Sequence, residues 1–208
     1  MFQEINDWAI KRCGKITSSE VYKIMNSGRK EFFSQTGKSY IKAKVAEYLT
    51  QEPISRPTTY AMEWGNSHEF EAITVLKEKI ENEVTYHGIG NPEFFSGGRF
   101  WGGSPDALTQ DCVIEVKCPF NSSEHLEHLL FKNAEDLKEY APEYYWQIVS
   151  NMLLTNKEKA MFISYDPRFP EDMRLKILEF NLDKSDSKNL IDRLEMATKE
   201  IEQIIKSL

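Results

Sequence analysis

The spacing of apolar and polar residues divides the chain into a helical opening, an extended middle and a mixed end. At helical period, residues 4–13 and Thr17–Met25 read as short helices, Gly37–Leu49 as a longer one and Thr59–Glu81 as a long one. The second of these has a marked start. Thr17-Ser18-Ser19-Glu20 fits the capping box, in which the first hydroxyl caps backbone N–H groups and the glutamate three residues on reaches back. From Val84 onward the pattern predicts strands over Val84–Ile89, Glu93–Ser96, Phe100–Gly103 and Asp111–Cys118, bounded by Gly, Pro or Asn. Helical spacing returns at Ser122–Phe131 and Pro142–Leu154, followed by strands over Ala160–Tyr165 and Leu175–Asn181 and an amphipathic helix over Ser185–Ser207. This order predicts an α/β (α+β) fold, a central mixed β-sheet flanked by helices.

Composition narrows the picture. The 208 residues, 40% hydrophobic and 28% charged, suffice for a real core, and without a repeat or a long Pro/Gly-rich linker a single domain over 1–208 is expected. No apolar run approaches the ~20 residues of a membrane span, and the first residues lack the basic-then-apolar order of a signal peptide, so a cytoplasmic protein is expected. Cys13, Cys112 and Cys118 lack four-thiolate metal spacing and read as reduced thiols. A net charge of −7 argues against a protein that coats DNA by bulk attraction. Residues 1–50, however, hold nine Lys or Arg against five Asp or Glu, a local excess of +4 that leaves −11 for the rest. Lys11, Arg12, Lys15, Lys23, Arg29 and Lys30 read equally as a basic surface or as ordinary solvated residues.

The most informative stretch is Gly103 to Phe120. In an extended strand Cys112, Ile114, Val116 and Cys118 share an apolar face, while Glu115 and Lys117 share the other face with Val113. Phosphodiester hydrolysis needs carboxylates to hold a hard divalent cation and a positive charge near the attacking water. Asp106, Glu115 and Lys117 supply that set. Three further positions stand out. Glu69 falls in line with Gly65, Ala72, Ile73 and Leu76 on a core-facing helical stripe, where a carboxylate needs a partner or must tilt to solvent. Gln147 lies in a largely apolar helical stretch and must find hydrogen-bond partners, either near a site or on backbone. Arg12 can fork two bonds to a phosphate, and Ser19 lies in the first turn of the expected capped helix, which suits an anion; a surface arginine beside a capping box is the alternative.

Taken together, Pro105-Asp106, a short spacer and Glu115-Val116-Lys117 resemble the core signature of PD-(D/E)xK nucleases. The Gly103-Ser104 start and the Cys118-Pro119-Phe120 finish resemble the lambda-exonuclease-like (YqaJ-like) viral recombinase branch of that superfamily. Trp64-Gly65 followed by Glu69, Trp8 to Ser19 with Arg12, Gly14, Ile16 and Thr17, and Tyr144 followed by Gln147 are similar to the same branch, so the resemblance runs from Trp8 to about Asn151. It implies a restriction-endonuclease-like core and Mg²⁺, with Mn²⁺ as a substitute, held by Asp106, Glu115, Glu69 and the Val116 carbonyl. Lys117 would position or activate water, with Gln147 orienting it or the lysine, and Arg12, Ser19 and Ser104 would hold a 5′ phosphate. It further implies 5′-to-3′ digestion of linear double-stranded DNA from its ends, 3′ single strands for an annealing protein, and a ring-shaped homotrimer. The chain departs from the branch in its acidity, in Ser18 where alanine is frequent, and in His68 where an aromatic residue is frequent. A structure-specific endonuclease, a single-strand exonuclease and a non-catalytic DNA-end-binding module are the rival readings.

Overall fold

The computed structural model describes residues 8–54, 57–88 and 92–208. Residues 8–12 are helical, and the chain then turns at Gly14, whose φ of 69° lies in the left-handed region. A Cβ there would also fall 2.9 Å from that of Tyr48, so glycine answers both the turn and the close approach. The turn leads into β1 (Ile16–Thr17) and a 3₁₀ helix (Ser18–Ile24), then α1 (Gln35–Thr50) and α2 (Tyr60–Lys77). Short strands β2 (Thr85–Tyr86), β3 (Phe95–Ser96), β4 (Trp101–Gly103) and β5 (Ala107–Leu108) lead to β6 (Cys112–Lys117). Helices α3 (Ser122–Leu130), α4 (Ala134–Tyr140) and α5 (Pro142–Thr155) precede β7 (Lys159–Tyr165), β8 (Leu175–Asn181) and α6 (Lys184–Ser207).

These strands build two sheets. One has the order β1-β4-β3; the other is mixed, with the order β2-β5-β6-β7-β8. β6 and β7 run parallel, with Glu115 opposite Phe162 and Lys117 opposite Ser164. Parallel neighbours require a crossover, and α3, α4 and α5 provide it. The strand period then sorts the core. Cys112, Ile114 and Val116 of β6 join Met161 and Ile163 of β7 in an apolar cluster with Ala72, Ile73 and Leu76 of α2. Val113 and Phe162 point the other way, into a larger cluster with Ile148, Val149 and Met152 of α5. The Val113 face also carries Glu115 and Lys117, so both lie between the sheet and α5.

The α/β reading is therefore correct, with differences that have physical causes. Thr17–Met25 is not an α-helix opened by a capping box. Ile16 and Thr17 are held as a strand opposite Trp101 and Gly102, no side chain caps the 3₁₀ helix, and the Glu20 carboxylate is taken by Lys23, three residues on. Such a pair suits a helix with three residues per turn. The expected helix over 59–81 ends at Lys77, with Thr59 as its N-cap. Of the strand expected over 84–89 only Thr85–Tyr86 pairs, and Ile89 lies outside the described residues. The helix expected over 4–13 is seen from residue 8; residues 4–7 also lie outside. α4 was not foreseen. Its start is capped by Asn133, whose side chain accepts from the Asp136 N–H at 3.0 Å, but seven residues hold too few apolar positions to show a period. All three cysteines are free thiols. Among the described residues no helix is long and apolar enough to cross a membrane.

Candidate active site

Glu115 is completely buried, and a buried carboxylate persists only with donors around it. Lys117, two residues along the same strand, places Nζ 2.8 Å from Glu115 Oε1. The Gln147 side-chain amide donates to the same oxygen, and Asn151 Nδ2 donates to Oε2 at 3.2 Å. Gln147 and Asn151 are four residues apart on α5, hence on one face of it. Lys117 also donates to Gln147 Oε1 at 3.2 Å and lies 4.8 Å above the Tyr144 ring. Burial works against its charge, but Glu115 and Asp106 outweigh burial and hold the ammonium pKa above that of an ordinary lysine.

Asp106 sits in the short connection between β4 and β5 and reaches across to β6, accepting from the Val116 N–H at 2.7 Å. Burial, then Glu115 and Glu69, push its pKa well above the usual aspartate range. Glu69 projects from α2 and accepts from the Tyr86 hydroxyl at 2.8 Å; burial raises its pKa, and Glu115 adds to the rise. The three carboxylates thus feel one another through a poorly solvated region, the electrostatic condition that a hard divalent cation relieves with oxygen donors. As they stand, each is turned to a protein donor, and among the described residues no three Asp, Glu, His or Cys side chains are gathered closely enough to hold a metal. The donor chemistry fits such a cation, and Val116 lies between the two carboxylates that would share it.

A second cluster forms around the N-terminal residues. Arg12 Nη2 lies 3.3 Å from Ser19 Oγ, and the guanidinium stacks 4.2 Å from the centre of the Trp8 ring. The Trp8 indole N–H donates in turn to Ser104 Oγ at 3.1 Å. Trp8, Arg12 and Ser19 line a cavity of about 600 Å³ whose walls also carry Lys23 and Lys44 beside Glu20 and Glu47, and Ser104 is tied to this group through the Trp8 indole. The local basic excess is partly spent elsewhere: Lys23 pairs with Glu20, Lys38 with Glu31 and Lys44 with Glu47, while Lys15 donates to the carbonyls of Gly98 and Arg99. Lys11, Arg29 and Lys30 are exposed. Burial lowers the Arg12 pKa, so an anion beside it would relieve a real cost.

Sequence reasoning missed Asn151 and Tyr86, and it placed Tyr144 in a motif without giving it a role. Tyr144 and Asn151 are three residues before and four after Gln147, so helical spacing could have found them. Tyr86 carries no local signal, because its contact with Glu69 depends on how β2 meets α2. His68 resolves locally: its Nδ1–H donates to the Trp64 carbonyl at 2.8 Å, and its ring lies tilted against the Trp64 ring with centres 4.0 Å apart.

No curated protein matches the chain. Among solved structures, it is similar to an alkaline exonuclease (LHK-Exo) from Laribacter hongkongensis, with 25% identity and a TM-score of 0.79 over 97% of this chain and 95% of that one. The same enzyme in complex with dAMP matches equally well. A phage-related exonuclease from Haemophilus somnus 129PT shares the fold at 17% identity, with a TM-score of 0.73 over 93% of this chain and 96% of that one. The sequence model of the YqaJ-like viral recombinase domain matches residues 7–158, a span that holds both clusters. The chain belongs to the YqaJ-like viral recombinase domain family.

Proposed function

We propose that this chain is a metal-dependent deoxyribonuclease, a single nuclease domain that degrades one strand of linear double-stranded DNA from its 5′ end. The observation that carries the reading is the buried Glu115–Lys117–Gln147 network facing Asp106 and Glu69. The exonucleases named for its structural neighbours support the same chemistry. Asp106, Glu115, Glu69 and the Val116 carbonyl would hold Mg²⁺, or Mn²⁺ in its place, which when bound supplies Lewis-acid charge stabilisation and a more acidic water. Lys117 remains an ammonium at neutral pH, where it offsets negative charge developing on the phosphate and orients the attacking water. Gln147 keeps Lys117 and Glu115 in register by bonding both. Arg12 forks two hydrogen bonds to a terminal 5′ phosphate, with Ser19 and Ser104 donating beside it.

The product would be a 3′ single strand, suited to an annealing protein in phage-type recombination. A ring-shaped homotrimer fits an acidic chain whose local positive excess lies within residues 1–50, because closure would bring three such segments around the duplex. One experiment tests the activity, polarity and anchor together: end-labelled linear duplexes with and without a 5′ phosphate, beside a covalently closed circle, in Mg²⁺, Mn²⁺ or chelator. The expected result is metal-dependent loss of the linear substrate from phosphorylated 5′ ends, with the circle intact. Cleavage of the circle, or tight end binding without cleavage in either metal, would overturn it. Light scattering reads the oligomer, and a monomer mass at working concentration removes the ring.

A further inference from the structure

Asn151 is fully buried on α5, with Nδ2 donating to Glu115 Oε2 and Oδ1 without a hydrogen-bond partner among the described residues. An unmatched buried amide oxygen is destabilising, and an apolar side chain of the same shape would carry no such atom. Turning the amide over does not help, since it would set Oδ1 against Glu115 Oε2 and waste the donor. Oδ1 instead abuts Gly103, where a Cβ would come within 2.5 Å of it. The side chain is thus wedged between Gly103 and Glu115, with one orientation open to it.

We infer that Asn151 is a positioning residue for Glu115: it fixes the rotation of the carboxylate by holding Oε2, while Lys117 and Gln147 share Oε1. This rests on the nuclease reading above for its effect on catalysis, but the hold on Glu115 is independent of it. Both oxygens are needed for one orientation. With Oε1 alone held, the carboxylate pivots about that atom, and an oxygen intended for a cation wanders. The neighbouring Ser150 has a different task, because its hydroxyl lies 2.8 Å from Ser18 Oγ and accepts from the Trp101 indole at 3.0 Å, tying α5 to the small sheet.

The two neighbours therefore separate geometry at the site from packing. Replacing Asn151 with leucine, N151L, should leave the protein folded with a thermal midpoint somewhat below that of the parent, because the buried Glu115 Oε2 loses its donor while the unmatched Oδ1 is removed with it. It should lower kcat on a phosphorylated linear duplex by ~10–100-fold with little change in KM, and weaken Mn²⁺ binding to the DNA-free protein several-fold. Ser150→Ala should also lower the thermal midpoint but leave kcat and Mn²⁺ affinity unchanged, since its hydroxyl holds Ser18 and Trp101 and not Glu115. If the leucine variant does not fold, Asn151→Ala gives the same readouts with a smaller disturbance. Parental kcat and Mn²⁺ affinity in the folded variant, no Mn²⁺ binding by the parent, or an equal loss of kcat in Ser150→Ala, would each overturn the inference. A parent that binds Mn²⁺ but cleaves no DNA refutes the nuclease reading alone, and the Mn²⁺ titration then still decides the role of Asn151.

Discussion

The candidate active-site edge between β6 and α5 and the cluster around Arg12 are built on opposite principles. At the edge, Glu115 is wholly buried and both its oxygens are held by side chains from two elements. Around Arg12 the residues are exposed or half-buried, the polar contacts are 3.1–3.3 Å long, and two of the three groups are hydroxyls free to rotate. The edge is organised before any ligand arrives. The cluster has its parts in place, but its hydroxyls can still turn. Under the proposed function, chemistry gains most from fixed charge, whereas an anchor has to admit and release a chain end at every step.

Substitutions at the edge should be severe and should act on turnover. Lys117→Ala is expected to lower kcat by ~10³-fold or more with KM little changed, because the ammonium addresses charge that develops only during reaction. Single-turnover cleavage of a labelled duplex checks this, and near-parental turnover would remove the contrast at its root.

The rigid edge should also respond to acid. His128 lies behind Tyr144, its Nδ1 2.8 Å from Ser164 Oγ, and burial, then His125 and Lys117, lower its pKa from 6.5 to about 4. The folded protein therefore binds this proton less readily than the unfolded chain. The associated stability is fully present above pH 6.5 and is lost as the pH falls towards 4, by up to ~3 kcal/mol. Chemical denaturation at pH 7 and pH 4 should show a smaller fall for His128→Phe than for the parent. Equal falls would mean that the histidine is not kept neutral by the fold.

At the cluster, effects should be milder and selective. Arg12→Ala should reduce the preference for 5′-phosphorylated over 5′-hydroxyl ends by ~10-fold, mostly through KM, and leave Mn²⁺ affinity intact. An unchanged ratio would return Arg12 to an ordinary surface role. Ser104→Ala should shift the same ratio only ~2–3-fold, since one hydroxyl donor is lost while the Arg12 guanidinium still faces the phosphate. A drop in kcat as large as that of Lys117→Ala would show that the two regions are one unit.

How much of this was legible depended on how local the signal was. The faces of β6 followed from strand alternation, so Glu115 and Lys117 were correctly placed opposite Cys112, Ile114 and Val116. Leu175–Asn181 was read to the residue, since a seven-residue strand bounded by polar turns leaves little ambiguity. The 3₁₀ helix was not legible, because pairing of Thr17 with Gly102, far away in sequence, overrides a local capping motif. Arg12 and Ser19 read from the sequence as parts of one phosphate pocket or as a surface arginine beside a helix cap, and they lie 3.3 Å apart; the Trp8 indole that adds Ser104 spans 96 residues and leaves no trace in spacing.

Gly103 marks where the 3₁₀ helix and α5 close on β4. A Cβ there would sit 1.9 Å from Ser18 Oγ and 2.5 Å from Asn151 Oδ1, so neither neighbour leaves room for a side chain. Any larger residue at this position has to push Ser18 or Asn151 aside, and Asn151 is one of the groups that hold Glu115. The slack behind the buried carboxylate is thus set by a residue that touches it only through its neighbours, and tolerance of substitution at Gly103 measures that slack.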